Sequence, residues 1–390
     1  MEHVRYLVET IGPRGSTQPG EARAAQYAYD VLCHLGLQPV TEPFTSARSK
    51  YHPYALSTAI GLIGVVLFWL GGQTFTLLAL ALLVLDLAAV LLHLCYLPNP
   101  LHWLLPTGRS QNVYARISPR GEVRRQAVLL AHLDSNRTPL VNSSRNWLQV
   151  YRWLLPASLV SVLALIAVFV AGLASPDTSL RLLSLLPALV LFAVCLLLLQ
   201  ADLTPFTVGA NDNASAMGVT LSIASRLSRQ PTAHTEVWAV LDGCEEVSLY
   251  GADAFARAHR EELRDAFWIV LDSVGGAGGT LRYTESEILL LKAHSDPELV
   301  RIFGEVAHAR PELGAGPLSF GTGANATDGT MLARHGLRQI AIVAPGPGGS
   351  ELLHIHRATD DLERIDPDLL QRCETLVWEV LQKIDAEARE

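Results

Sequence analysis

The chain has 390 residues, with 30 basic and 38 acidic side chains, and only 17% of its residues are charged. A chain of this length accommodates one large α/β domain with additional elements. The mildly acidic balance, without a basic block or basic stripe, argues against nucleic acid as a partner. The charged fraction also lies below the value of about a quarter that is typical of soluble domains.

The N-terminal segment predicts a soluble helix followed by a strand. Met1–Gly20 is polar and lacks the apolar core of a signal peptide. Pro19–Leu35 has the apolar spacing of a helix that ends at Gly36, and Leu37–Phe44 predicts a short strand. We therefore expect the soluble domain to begin before the first predicted transmembrane helix.

Four apolar segments predict two transmembrane hairpins. A bilayer-spanning helix needs roughly 20 apolar residues, and the segments that approach this length are Pro53–Leu70, Thr74–Leu97, Trp153–Leu173 and Leu182–Leu199. Short polar breaks separate the members of each pair. Buried core helices, which are also apolar on every side, are the alternative. Asp86 is the one acid inside a span and is expected to face other helices.

The distribution of positive charge predicts the orientation of the hairpins. The basic residues away from the hairpin tips are Arg48, Lys50, Arg109, Arg145 and Arg152, whereas the tips carry only Arg181, with Asp177. The positive-inside rule then places both termini and the polar part of the chain in the cytoplasm. The five cysteines are scattered and form no CxxC pair, which fits reduced thiols on that side.

The rest of the chain alternates strand and helix patterns. The predicted strands are Asn112–Ile117, Ala127–His132, Glu236–Leu241, Phe267–Leu271, Ile288–Lys292 and Gln339–Val343. The predicted helices are Ala216–Leu227, Tyr250–His259, Pro297–Ala309 and Pro367–Ile384. This alternation predicts an α/β fold with a mostly parallel mixed sheet and helices on both faces. We expect one domain, formed by residues 1–52, 98–146 and 202–390, that is interrupted by transmembrane hairpins at 53–97 and 147–201.

Candidate metal ligands stand at the ends of the apolar strands. His132 and Asp134 are two residues apart and would share a face of an extended chain. A carboxylate beside a metal-bound imidazole fixes its tautomer, although such a pair is also common as a structural feature. Asp212 lies in a polar loop before a helix, where it would either cap that helix or bridge two metal ions.

Three further groups complete the candidate site. In an extended segment Glu245 and Glu246 would point in opposite directions, so that Glu246 binds metal and Glu245 acts as a general base; a solvated acidic turn is the alternative. Asp272 ends an apolar strand, and a buried carboxylate needs a cation nearby. His354 and His356 lie on one face, and spacing alone does not choose between them.

The donor set indicates the metal and the reaction. Imidazole and carboxylate ligands without a thiolate suit zinc, or cobalt or manganese in its place. Two such ions about 3.5–4 Å apart can share a water molecule and polarise a carbonyl group. The residues therefore predict the hydrolysis of an amide.

Taken in chain order, these motifs resemble those of the co-catalytic zinc aminopeptidases, metallopeptidase family twenty-eight. The matching motifs are His132-x-Asp134, the loop of Asp212, Glu245-Glu246, Asp272-Ser273-Val274-Gly275, and His356 followed by Asp360. The last spacing selects His356 over His354. The resemblance covers essentially all of the soluble chain.

The resemblance implies a role for each residue in a two-zinc centre. One zinc ion would be held by His132 and Asp272, the other by Glu246 and His356, and Asp212 would bridge them. Asp134 would orient His132, and Glu245 would be the general base. The chain departs from the family in three places: Thr327-Asp328-Gly329 replaces Ser-Asp-His, Asp360-Asp361 replaces Asp-Thr, and a membrane hairpin separates His132 from Asp212.

The sequence thus predicts a membrane-embedded aminopeptidase that binds two zinc ions and removes N-terminal residues from peptides. One alternative is a single-zinc amide hydrolase or an enzyme like the glutaminyl cyclases. Another is an inactive binding or receptor relative, against which the intact Glu245 and the complete ligand set argue. The expected partners are peptide substrates and the lipid bilayer, and the sequence makes no prediction about the oligomeric state.

Overall fold

The computed structural model describes residues 1–175, 177–288, 291–320, 326–349 and 351–388. The chain forms two compact units. The first unit comprises Met1–Arg48, Thr107–Asn136 and Phe206–Glu390, and the second comprises Ser49–Pro106 and Arg137–Pro205.

The described residues contain nine strands and eleven α-helices. The strands are β1 Val40–Ala47, β2 Thr107–Ile117, β3 Arg125–His132, β4 Thr235–Asp242, β5 Phe267–Leu271, β6 Arg282–Ile288, β7 Lys292–His294, β8 Gly316–Ser319 and β9 Arg338–Val343. The helices are α1 Glu2–Arg5, α2 Pro19–His34, α3 His52–Leu70, α4 Gln73–Leu94, α5 Arg145–Ala174, α6 Thr178–Asp202, α7 Ala216–Arg229, α8 Tyr250–His259, α9 Pro297–Ala309, α10 Asp328–Arg334 and α11 Pro367–Glu387.

The first unit is built on one mixed sheet with the strand order β1-β2-β4-β3-β5-β9-β6-β7, and β8 pairs with β6. The four central strands β4, β3, β5 and β9 are parallel, whereas β2 on one flank and β6 on the other run antiparallel to them. The central strands are buried along nearly their whole length, as expected for parallel strands that are covered on both faces. The predicted fold class is confirmed.

Helices cover both faces of the sheet. Alternate residues of β4, such as Ala239, belong to a core cluster with Leu221 of α7 and Val380 of α11. On the opposite face, the indole of Trp238 packs against the ring of Phe255 in α8, with 6.2 Å between the ring centroids. Because β3, β4 and β5 are parallel and buried, their carboxyl ends meet at one edge of the sheet, where loops can bring polar side chains together.

The second unit consists of the helices α3 to α6. These four helices are long and apolar enough to cross a membrane, and only 17–33% of the residues in the most apolar window of each helix are buried. Their mutual contacts form a small core that includes Phe68, Leu83 and Phe169. Large apolar side chains such as Leu85 and Leu186 are almost 70% exposed. This pattern argues against the alternative of buried core helices.

Several predicted boundaries differ from the structure. The predicted strand Ile288–Lys292 is wrong: Ile288 ends β6, Lys292 begins β7, and the two residues pair across an antiparallel hairpin. Residues 289 and 290, which belong to the predicted strand, lie outside the described residues. The short strand β8 and the helix α10 were not predicted.

Candidate metal centre

The candidate ligands meet where the parallel strands end. His132 is the last residue of β3, Asp272 directly follows β5, and Glu246 lies in the turn after β4. Asp212 comes from the loop before α7, and His356 comes from the segment between β9 and α11. The sheet therefore brings together side chains that are up to 224 positions apart in the sequence, from His132 to His356.

Two groups of potential metal ligands share the carboxylate of Asp212. His132, Asp212 and Asp272 form one group, and Asp212, Glu246 and His356 form the other; within each group the ligand atoms lie within 4.8 Å of one another. Asp212 Oδ1 is 3.2 Å from His132 Nε2, and Asp212 Oδ2 is 3.3 Å from His356 Nε2. Each oxygen of this carboxylate thus faces a different imidazole.

The second group is completed by Glu246. Its Oε2 lies 3.3 Å from Nε2 of His356 and accepts a hydrogen bond from the side-chain amide of Asn136. Apart from His356, whose side chain is 19% exposed, the ligands of both groups are buried. The structure brings together all five residues that were predicted to bind metal.

Asp134 fixes the local geometry around His132 and the two glutamates. The Nδ1 of His132 lies 3.1 Å from the backbone oxygen of Asp134 and 3.4 Å from its Oδ1. The same carboxylate accepts hydrogen bonds from the backbone N–H groups of Glu245 at 3.1 Å and Glu246 at 3.2 Å. The hydroxyl of Ser16 donates a further hydrogen bond to Oδ2. Asp134 therefore positions three functional residues.

Glu245 and Glu246 do not lie in an extended segment, and that part of the prediction was wrong. Cys244 has a φ of 58°, and the backbone turns directly after β4. The two backbone amides point at the Asp134 carboxylate, and this arrangement sets the directions of the glutamate side chains. The alternative of a solvated acidic turn does not hold either, because both glutamates are buried.

Crowding of buried carboxylates changes the pKa values in the site. Burial, together with the charges of Glu246 and Asp272, raises the pKa of Glu245 well above its ordinary value, although His132 acts in the opposite direction. Burial and the charge of Asp212 raise the pKa of Asp272 to about 7. Burial acts to lower the pKa of His132, but Glu245 and the adjacent aspartates raise it well above its ordinary value. The pocket thus favours bound cations.

The loop that carries Asp212 is held by a second carboxylate. Asp360 accepts hydrogen bonds from the backbone N–H groups of Asn211 at 2.7 Å and Asp212 at 3.1 Å. Burial and the charge of Asp212 raise the pKa of Asp360 to about 8. His356 and Asp360 thus both contact the Asp212 segment.

Arg14 connects two segments of the first unit, a role that no local sequence pattern indicates. Its buried guanidinium donates hydrogen bonds to the backbone oxygens of Leu133 at 2.9 Å, Val208 at 2.6 Å and Gly209 at 2.8 Å. Burial lowers its pKa to about 10. Leu133 and Val208 lie on either side of the segment 137–205, so Arg14 fixes both ends of the insertion within this unit.

Three other residues that the sequence analysis named lie outside the two ligand groups. His354 lies 3.1 Å from the Thr359 hydroxyl, through its Nδ1, and is not part of either ligand group. Asp361 caps a short helix by accepting a hydrogen bond from the backbone of Glu363. Asp328, in the segment that departs from the family pattern, is buried, and burial together with the charge of Asp242 raises its pKa well above the ordinary value.

Comparison with known protein families agrees with this geometry. The model of Peptidase family M28 matches residues 197–381. This segment contains four of the five predicted ligands, namely Asp212, Glu246, Asp272 and His356. No curated protein matches the sequence of this chain.

Solved structures share the fold at low sequence identity. A zinc aminopeptidase from Bacillus subtilis is 14% identical, with a TM-score of 0.58 over 98% of this chain and 93% of that chain. An aminopeptidase from Aneurinibacillus sp. strain AM-1 is 14% identical, with a TM-score of 0.58 over 97% and 92% of the two chains. A glutaminyl cyclase from an Acidobacteriales bacterium is 15% identical, with a TM-score of 0.58 over 99% and 93%. With the family match, these similarities confirm the predicted fold, the predicted resemblance and the predicted class of zinc metallopeptidase.

Proposed function

We propose that the protein is a membrane-embedded aminopeptidase that uses two zinc ions, since residues 197–381 match the model of peptidase family M28. The observation that carries this proposal is the position of Asp212 between two separate ligand groups, with the buried Glu245 close to His132. The substrates are peptides with a free N-terminus.

The residues of the centre fit two zinc ions. His132 and Asp272 would hold one ion, Glu246 and His356 would hold the other, and Asp212 would bridge them. Imidazole nitrogen and carboxylate oxygen are ordinary zinc ligands, and cations between buried, ionised carboxylates offset their mutual repulsion. When bound, zinc supplies positive charge that polarises a carbonyl group and lowers the pKa of water.

Glu245 is the group that moves protons in the proposed reaction. Its carboxylate accepts a proton from the attacking water and then passes it to the nitrogen of the leaving amine. Burial raises the pKa of Glu245 above its ordinary value, and a carboxylate with a raised pKa is a stronger proton acceptor. Asp134 accepts a hydrogen bond from the backbone N–H of Glu245, and this contact helps to position the Glu245 carboxylate.

A second candidate reaction is the cyclisation of N-terminal glutaminyl residues, because three of the similar structures are glutaminyl cyclases. A single-zinc enzyme of this kind needs only one ligand group. The presence of two complete groups favours the peptidase. A binding protein without activity would not need a buried carboxylate at position 245.

We also propose that the second unit is the membrane anchor. Its helices α3 to α6 combine the length of a bilayer span with apolar surfaces that are mostly unburied. The lipid bilayer is the partner that such surfaces require. The basic residues away from the hairpin tips support a cytoplasmic position for the first unit, by the positive-inside rule.

The proposal is tested with Glu245→Gln in the full-length protein in detergent, using aminoacyl chromogenic amides and an N-terminal glutaminyl peptide as substrates. We expect two zinc ions in the first unit and a loss of amide hydrolysis of about 100-fold or more, the size of a lost general base. The exposed Glu261→Gln is the matched control. Unchanged hydrolysis would remove Glu245 from the mechanism, and cyclisation without hydrolysis by the parent protein would favour the second candidate.

A further inference from the structure

Glu21 is a buried carboxylate of the first unit that belongs to neither ligand group. It lies in the first turn of α2 and is only 1% exposed. Its Oε1 accepts a hydrogen bond from the backbone N–H of Cys244 at 2.8 Å, across 223 positions of the chain. The Cys244 thiol donates a longer one to the same oxygen, at 3.4 Å. Because Cys244 directly precedes Glu245, this carboxylate contacts the turn that carries the proposed general base.

A capping role at the start of α2 is the simpler interpretation of Glu21, and it accounts for the other oxygen only. Oε2 accepts hydrogen bonds from the backbone N–H of Thr17 and from the Ser110 hydroxyl, both at 2.9 Å. A glutamate in the first turn that reaches back to a preceding N–H group stabilises the start of a helix. This role uses Oε2 and does not require an acceptor beside Cys244.

The turn after β4 is held by side chains through four consecutive backbone amides. The N–H groups of residues 243–246 donate, in chain order, to Asn112, to Glu21 and, for the last two, to Asp134. Cys244 has a φ of 58°, which is uncommon for a residue with a side chain. Buried N–H groups outside regular secondary structure need such acceptors. The path of this turn therefore depends on carboxylates from two distant segments.

The close approach of Glu21 to the turn depends on the absence of a side chain at Gly243. A Cβ atom at this position would lie 2.9 Å from Oε1 of Glu21 and closer still to the Ser110 hydroxyl. Real Cβ atoms do not approach other atoms so closely, so any larger residue would displace the carboxylate. Gly243 thus leaves the space in which Glu21 reaches the Cys244 amide.

From these contacts we propose that Glu21 is a positioning residue for Glu245. It holds the Cys244 amide on one side, Asp134 holds the next two amides on the other, and together they fix the turn from which Glu245 acts. The inference rests on the proposed function, because it takes Glu245 as the general base. Since Glu21 binds neither zinc nor substrate in this account, its loss should lower kcat and leave KM and the zinc content unchanged.

The test compares Glu21→Ala with Asp385→Ala in the full-length protein in detergent. Asp385 is the matched control, because its buried carboxylate accepts backbone N–H groups of residues 233–235, at the opposite end of β4. In Glu21→Ala we expect kcat for aminoacyl amides to fall about 10- to 100-fold, the effect of a displaced catalytic group, with KM within about twofold of the parent value. Asp385→Ala should keep the parent kcat. Glu21→Gln retains an oxygen that can accept the Cys244 N–H, so it should recover part of the lost kcat.

Hydrogen exchange tests the same contact without relying on activity. We expect the amides of residues 242–249 to exchange about 10-fold faster or more in Glu21→Ala, and at the parent rate in Asp385→Ala. A parent-like kcat in Glu21→Ala, or equal losses of kcat in both alanine variants, would overturn the inference. A parent protein without amide hydrolysis would instead contradict the proposed function, and the exchange rates would still decide whether Glu21 holds this turn.

Discussion

The carboxylate of Asp134 accepts a hydrogen bond from the backbone N–H of Glu245 at 3.1 Å, across 111 positions of the chain. This contact connects the strand that carries His132 to the turn that carries the proposed general base. It gives Asp134 a second role beside the predicted orientation of the imidazole, because the placement of Glu245 depends on the same side chain.

Replacement of Asp134 is therefore expected to lower activity through both contacts. An asparagine keeps only one acceptor oxygen, so Asp134→Asn loses the hydrogen bond to one of the two glutamate amides. We expect a 10- to 100-fold lower kcat/KM, the usual effect of changing a group that supports a metal ligand. The exposed Asp265→Asn is the control in the same steady-state assay. A parent-like kcat/KM in Asp134→Asn would contradict this role.

Arg14 is expected to stabilise the first unit strongly. Its replacement by methionine leaves three buried backbone oxygens without their donor. Unpaired buried acceptors cost about 1–3 kcal/mol each, so Arg14→Met should lower the apparent free energy of unfolding by about 3 kcal/mol or more. The measurement is urea unfolding followed by tryptophan fluorescence, which the buried Trp238 and Trp268 report. The exposed Arg257→Met should change it by less than about 1 kcal/mol.

Asp385 should make stability depend on pH in the acid range. Burial acts to raise its pKa, but hydrogen bonds from the backbone N–H groups of His234, Ala233 and Thr235 lower it below the ordinary value. A lowered folded-state pKa stabilises the protein above the unfolded-state pKa of about 3.9, and this contribution is lost as the pH falls through the folded-state value.

Asp385→Asn tests this dependence. The variant should be less stable than the parent at pH 7, and the difference should shrink as the pH is lowered below about 4. Unfolding free energies measured at several pH values provide the comparison. A difference that is constant over the whole range would show that the charge of Asp385 makes no contribution.

Removal of metal should destabilise the protein more at high pH than at low pH. The raised pKa of Asp272, about 7, means that the apo site is stabilised by protonation at low pH and loses this stability as the pH rises through 7. Bound zinc compensates the negative charge of the deprotonated carboxylates. The increase in Tm on adding zinc to chelator-treated protein should therefore be larger at pH 8 than at pH 6. An increase in Tm that is independent of pH would argue against carboxylate ligands.

The sequence predicted the elements whose patterns are strong and local. Tyr250–His259, Phe267–Leu271 and Pro297–Ala309 match the structure residue for residue, because an amphipathic period or a continuous apolar run defines each of them. The prediction of one strand over Ile288–Lys292 was wrong, because a short apolar run has the same sequence pattern whether or not it forms a single buried strand.

The site could be predicted only in part. Each candidate ligand stood at a strand end or in a polar loop, so the edge of a parallel sheet could be expected to collect them. The choice of His356 came from the resemblance, since His354 is equally suitable by spacing. Arg14, Ser16 and Asn136 were missed, because their contacts are made to distant loops that no local pattern indicates.

The central claim is that Asp212 bridges two metal ions. Anomalous scattering at the zinc absorption edge, measured on crystals of the zinc-loaded protein, tests it most directly. We expect two peaks about 3.5–4 Å apart, one beside His132 and Asp272 and the other beside Glu246 and His356. A single peak on one side of Asp212, or peaks that lie away from this carboxylate, would contradict the account.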